Sequence, residues 1–267
     1  MQMAEFCNCC DHSIVQQGDL FPEPSDLRVL VDCSILREDE VVDSKTTIAW
    51  IVESPAILEV YQPGFQRELK DRLIKGNHNF SKLYTYDPAY EHLPNVVKLN
   101  FCPASTWIEK ENIKIHDKTK LISYIASSKN WTPLQRKRRT LLEHLSQDDR
   151  VDVYGRHINP LDKKSDGLID YCFSYAIENC RASNYFTEKI VDCFLTGTIP
   201  IYAGDPDIDK IFDARGIIKI EELENKVLSR DLYESMMPYI QSNFERAMNI
   251  KNEFGDQIRF IIEDYKK

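Results

Sequence analysis

Short apolar runs rich in β-branched and aromatic residues alternate along the chain with stretches whose apolar positions recur every three or four residues. Leu27–Asp32, Thr47–Glu53, Ser81–Tyr86 and Val96–Phe101 read as strands. Phe65–Lys75 between them has helical spacing and stops before Gly76, a residue suited to a left-handed helix end. After the polar stretch Trp107–Thr119 a second series begins. It predicts strands at Lys120–Ser127, Arg150–Tyr154, Tyr171–Ile177, Thr198–Tyr202 and Ile217–Ile220, and helices at Pro133–Ser146 and Thr187–Leu195. The tail from Leu232 to Lys267 reads as helical with an interruption near Gly255.

Repeated strand–helix–strand alternation requires parallel sheets covered by helices on both faces. The expected class is therefore α/β, with two Rossmann-like lobes and a cleft between them. The first lobe would take residues 1–110, the second residues 111–267 with the C-terminal helices. Ligands of such sheets bind beyond the carboxyl ends of the strands.

Composition narrows the functions. Of 267 residues, 43 are acidic and 34 basic, a formal net charge of −9, which argues against a general nucleic-acid binder. No apolar run reaches the ~18 residues of a membrane span. The N-terminus lacks the basic-then-apolar layout of a secretory signal, so the expected location is cytoplasmic. Of eight cysteines, Cys7, Cys9 and Cys10 crowd together without a matching second ligand pair, and the others read as small buried apolar residues. His12, His78, His92, His116, His144 and His157 show no ligand spacing.

The densest chemistry lies in Tyr171–Phe212. A buried strand ends at Glu178-Asn179, and Thr187-Glu188-Lys189 opens a helix with Thr187 as its cap. Free N–H groups at a helix start favour an anion, Lys189 adds a full charge beside it, and Glu188 can accept two hydrogen bonds from a sugar diol. The plainer alternative is a capped surface helix with a solvated Glu–Lys pair.

Ile177-Glu178-Asn179, Tyr185-Phe186-Thr187-Glu188-Lys189 and Gly197-Thr198-Ile199-Pro200-Ile201 resemble the donor-binding signature of the α-1,3/4-fucosyltransferases, glycosyltransferase family ten, nearest its compact microbial members. The resemblance implies the GT-B arrangement of two lobes and places Asn179, Tyr185, Glu188 and Lys189 on the guanosine diphosphate of GDP-fucose. Lys120–Ser128 followed by Arg136-Lys137-Arg138-Arg139 is similar to the family's strand, polar loop and Arg-bearing helix. That similarity puts Arg138, or else Arg136, on the diphosphate, where a fork-shaped donor suits phosphate oxygens. Val151-Asp152-Val153-Tyr154-Gly155 resembles a further family strand end. Trp50-Ile51-Val52-Glu53-Ser54-Pro55 resembles its Glu-Ser-Pro segment, which implies that Glu53 is the general base of an inverting transfer.

Gly204-Asp205-Pro206-Asp207-Ile208-Asp209 holds Asp-x-Asp twice, a spacing that binds divalent metals elsewhere. The resemblance implies instead a loop and no metal cofactor, with Asp207 capping a short helix Ile208–Phe212. Tyr61, Phe65 and Trp131 are aromatics to test near an acceptor. Ile177, Cys180 and Phe186 depart from the family pattern and leave the donor sugar open. The expected partners are a nucleotide-sugar donor and a glycan acceptor. The alternatives are the same scaffold with another donor such as UDP-xylose, or a non-catalytic sugar- or nucleotide-binding module.

Overall fold

The computed structural model describes residues 27–36, 45–156 and 158–267, so the Cys7, Cys9 and Cys10 cluster, His12 and His157 lie outside the described residues. The chain divides into two compact units. One holds the described residues up to Pro103 together with Glu253–Lys267, the other Ala104–Asn252.

In the first unit, β1 (Arg28–Val31), β2 (Thr47–Trp50), β3 (Leu83–Thr85) and β4 (Val96–Lys98) form a parallel sheet in chain order. β1 and β2 are shorter at their carboxyl ends than their apolar runs, because the chain leaves β1 into the helical turn Asp32–Leu36 and β2 into the short loop before Pro55. Two helices connect β2 to β3. α1 (Pro55–Tyr61) is capped by the Ser54 hydroxyl, which accepts from the Ile57 N–H at 3.3 Å. α2 (Phe65–Lys75) buries Phe65, Leu69 and Leu73 on one face and ends at Gly76 with φ 64°. Phe65 is thus a core residue and not an acceptor platform.

The second unit carries a five-stranded parallel sheet in the order β6-β5-β7-β8-β9. Its strands are β5 (Lys120–Ile125), β6 (Val151–Tyr154), β7 (Tyr171–Ile177), β8 (Ile199–Ala203) and β9 (Ile218–Lys219). Every residue of β7 is buried, as a central strand covered on both faces demands. Pro200 sits in β8 opposite Ser174, and the β9 ladder starts only at Ile201, so no β9 partner is short of an amide. α3 (Pro133–Leu145) follows β5, and α4 (Glu188–Leu195) follows β7. α5 (Arg230–Ser235) and α6 (Met237–Ile250) close the unit, with Tyr233 and Ile240 in its core.

The tail differs from its sequence reading. Gly255 is inside α7 (Glu253–Tyr265), and the break falls at Lys251–Asn252. α7 packs in the first unit, where a division at 110/111 had assigned all C-terminal helices to the second lobe. Asp264 is the reason: it accepts from Lys82 Nζ at 2.7 Å and from the Tyr84 hydroxyl at 2.8 Å, both on or beside β3. The Phe254 ring meanwhile lies 5.1 Å from that of Trp50.

Both units are α/β layers built on parallel strands, the Rossmann-like pattern read from the alternation. No described helix is long and apolar enough to cross a membrane. Cys33, Cys102, Cys172, Cys180 and Cys193 are buried.

Gly197 ends α4 at φ +74°, and a Cβ there would stand 2.8 Å from Ile115 Cγ2. Gly197→Ala meets both a left-handed backbone and a filled neighbour. It should lower the unfolding free energy by about 1–3 kcal/mol, read as a shift in urea midpoint.

Candidate functional site

The connection from β5 goes to β6 on one side of the second sheet, and the chain then returns to place β7 on β5's other side. Such a reversal leaves a crevice beyond the carboxyl ends of β5 and β7, between the loops that lead into α3 and α4.

Both helix starts there are fixed by side chains. Thr132 caps α3 and forms a reciprocal box with Gln135, whose Oε1 accepts from the Thr132 N–H at 3.1 Å. The Thr132 hydroxyl also donates to the Asn179 carbonyl, which joins the start of α3 to the end of β7. Thr187 caps α4 and is held by Glu178, whose Oε1 accepts from the Thr187 N–H at 2.8 Å and whose Oε2 accepts from the hydroxyl at 2.8 Å. Glu178 is 0% exposed. This carboxylate therefore anchors the helix start, a structural task the sequence reading had not assigned to it.

Lys189 sits in the first turn of α4. Its ammonium lies 2.9 Å from Thr187 Oγ1 and 3.3 Å from both Glu178 Oε2 and Glu188 Oε1. Burial would lower its pKa, but Glu178 and Glu188 outweigh that and raise it. Burial alone would raise the Glu188 carboxyl; Lys189 and Lys164 overcome it and hold the group at about 2. Both charges are thus present at neutral pH.

The two arginine candidates part company. Arg138 is buried, its Nη1 reaches the Ile177 carbonyl at 3.4 Å and its Nε has no hydrogen-bond partner. Arg136 is exposed and donates to the Trp131 carbonyl at 2.9 Å. Of the pair, Arg138 is the one whose charge acts on Lys189. Tyr185 is 3% exposed, its N–H donates to the Ala182 carbonyl, and Asn184 before it takes φ 61°. The structure brings Arg138, Asn179, Glu188 and Lys189 to one sheet end with Tyr185 in the loop between, and leaves Arg136 on the outer face of α3.

Glu53 belongs to the first unit, just past the carboxyl end of β2. Its backbone is pinned from two other strands. Buried Asp32, at φ 53° after β1, accepts from the Val52 and Glu53 N–H groups at 2.8 and 3.0 Å, and the Tyr86 hydroxyl after β3 donates to the Glu53 carbonyl at 2.7 Å. Glu53 Oε1 accepts from the Ser54 N–H at 2.6 Å. Asp32 escaped the sequence reading because nothing local marks a carboxylate that serves residues twenty positions away.

The Asp-x-Asp loop is a folded turn. Asp205 is buried and accepts from the Asp207 N–H at 2.8 Å; burial pushes its carboxyl up to about 6. Asp207 accepts from Ser183 Oγ at 2.9 Å and pairs with Lys210 Nζ at 2.8 Å. Its side chain makes no cap bond to the helical turn Ile208–Lys210, contrary to the capping expected of it, because Ser183 and Lys210 already occupy its oxygens. Among the described residues no group of three His, Cys, Asp or Glu is arranged to hold a metal.

Residues 115–242 match the family model for glycosyltransferase family 10 (fucosyltransferase), C-terminal part. An α-(1,3)-fucosyltransferase, FucT of Helicobacter pylori, is 30% identical to this chain over 90 residues; the match spans 32% of this chain and 19% of that relative. A solved α1,3-fucosyltransferase with GDP-fucose aligns at TM-score 0.47 and 16% identity, covering 91% of this chain and 78% of its own. One with GDP aligns at TM-score 0.48 and 14% identity, covering 91% and 79%. The family match takes in every residue of the α3–α4 crevice named above, and Glu53 lies outside it. The likeness to glycosyltransferase family 10 (fucosyltransferase), C-terminal part, thus lies in residues 115–242, the stretch that builds the α3–α4 crevice.

Proposed function

We propose that the chain is an inverting glycosyltransferase that moves L-fucose from GDP-fucose onto a glycan hydroxyl. The family match over the crevice between α3 and α4 carries this reading, because the same crevice gathers the groups such a donor needs. The diphosphate takes the free N–H groups of α4, with Lys189 and Arg138 supplying positive charge. Ionised Glu188 accepts from a sugar diol, and Asn179 and Tyr185 border the loop. The acceptor oxygen attacks the anomeric carbon as Glu53 takes its proton. The bond from that carbon to the β-phosphate oxygen breaks, and GDP leaves with the electron pair. Lys189 and Arg138 offset the charge that develops on it, so the reaction proceeds without a metal cofactor. Glu53 suits the proton transfer because three strand ends hold its backbone still, the preorganisation that general-base catalysis requires.

Lys189→Ala should weaken GDP binding by about 1.5–3 kcal/mol in calorimetry, the range of a charge-assisted hydrogen bond. Unchanged affinity would remove the donor from this crevice, and a wild-type preference for UDP over GDP would move the donor to another nucleotide sugar. Glu53→Gln preserves shape and the oxygen that accepts from Ser54. It should cut fucose transfer about 10²–10⁴-fold while GDP affinity stays within about twofold; turnover above a third of wild type would place the base elsewhere. Transfer should persist in excess EDTA, and loss on chelation restored by Mn²⁺ would assign Asp205 and Asp207 a metal after all.

A further inference from the structure

Lys164 lies on the helical turn Lys164–Gly167 between β6 and β7, outside the segments that supply the crevice residues named above. Its side chain is 16% exposed, and its Nζ stands 2.7 Å from Asp192 Oδ2, 3.6 Å from Glu188 Oε1 and 5.0 Å from the centre of the Trp107 ring. Asp192 projects from the second turn of α4 and is wholly buried. Its other oxygen accepts from the Thr106 hydroxyl at 2.5 Å and the Trp107 N–H at 3.1 Å. Lys164 is therefore seated from one side by a carboxylate that has its own two donors, and faces Glu188 from the other.

We propose that Lys164 is a positioning residue for the donor: seated by Asp192, it holds the Glu188 carboxylate charged and in place while Lys189 turns to the diphosphate. This rests on the donor-site reading above. The groups facing Glu188 set the argument. Lys189 and Lys164 are its two cations, Glu178 and Asp192 are the other carboxylates of the cluster, and Arg138 acts on Lys189. Cys193 lies near Lys164, and burial keeps its thiol neutral. When Lys189 leaves Glu188 for a phosphate, Lys164 is the remaining cation beside it. Without Lys164, burial would favour a protonated Glu188, and a carboxylic acid no longer accepts from both hydroxyls of a diol.

GDP-fucose binding by calorimetry between pH 5.5 and 8 on the full chain tests this. Lys164→Met combined with Asp192→Asn removes both charges together and leaves neither ion unpaired. This double variant should bind GDP-fucose about tenfold more weakly at pH 7.5, with the deficit growing toward pH 5.5, where wild-type affinity stays flat. Lys164→Arg keeps the charge and should stay within about threefold of wild type. Thr106→Val, which keeps both charges and removes only the hydroxyl that seats Asp192, should show the same pH trend at smaller size, and it serves if the double variant does not fold. A wild-type chain that binds no GDP-fucose overturns the donor-site reading and this assignment with it. If wild type binds, then wild-type affinity and pH profile in the double variant, or in Thr106→Val where that variant stands in, overturn the Lys164 assignment alone, as does an equal loss in Lys164→Arg.

Discussion

The second unit is organised around one desolvated carboxylate. Glu178 ends the central strand with no exposure to water, and its oxygens are taken by the backbone and hydroxyl of Thr187, nine residues on, and by Lys189. A buried carboxylate is costly, and a buried ion pair is weak evidence for net stability. Its gain here is register: the loop from Asn179 to Phe186 must return to one place, so that α4 begins beside the end of β7. Gly204, leaving β8, packs so closely on Glu178 and Tyr202 that a Cβ there would collide with both. Thr132 closes the arrangement from the other side through the Asn179 carbonyl. Three chain segments therefore meet at β7's end, and the crevice inherits its shape from that meeting.

Much of this was legible in the sequence because it is local. β7 and α2 have the spans expected of them, since an unbroken apolar run and an amphipathic face bounded by Gly76 leave little choice. Thr132-Pro133 and Thr187-Glu188-Lys189 announce helix starts through cap chemistry that needs no tertiary partner, and both caps are present. α1 was missed because the seven residues from Pro55 to Tyr61 offer under two turns of periodicity. The tail was misread at Gly255 because a glycine inside a helix is a modest local cost, whereas the real break at Lys251–Asn252 is set by tertiary pairing: Thr106 N–H donates to the Lys251 carbonyl, and Ser105 bridges to Asn252.

The site was legible in residue type and less so in role. Arg138 and Arg136 sit two positions apart on one helix and so point to different faces; sequence ranks them only through helical phase. Asp192 did carry an unread signal. It interrupts Ile190-Val191-Asp192-Cys193-Phe194, an otherwise apolar stretch of α4, and a carboxylate amid buried positions demands a cation from elsewhere in the chain. No spacing rule names Lys164 as that cation, because the pairing is made by the fold. Asp32 beside Glu53 is the same case in the first unit.

Charge bookkeeping across the crevice constrains how an anion can enter it. Glu178, Glu188 and Asp192 face Lys164 and Lys189, and Arg138, which acts on Lys189, brings the group to neutrality. A ligand diphosphate therefore meets a balanced cluster and not a vacant positive patch. Lys189 spends its donors on Thr187, Glu178 and Glu188, so any bond it makes to phosphate replaces one of these. The affinity it contributes is therefore what the phosphate contact gains over the contact it replaces. At the start of α4 the Thr187 hydroxyl already accepts from the Lys189 N–H, and the neighbouring first-turn N–H groups have no intrahelical partner to give up. In the donor site proposed above, recognition would rest first on fixed backbone amides, with Lys189 following the ligand and Glu188 left with Lys164 as its cation.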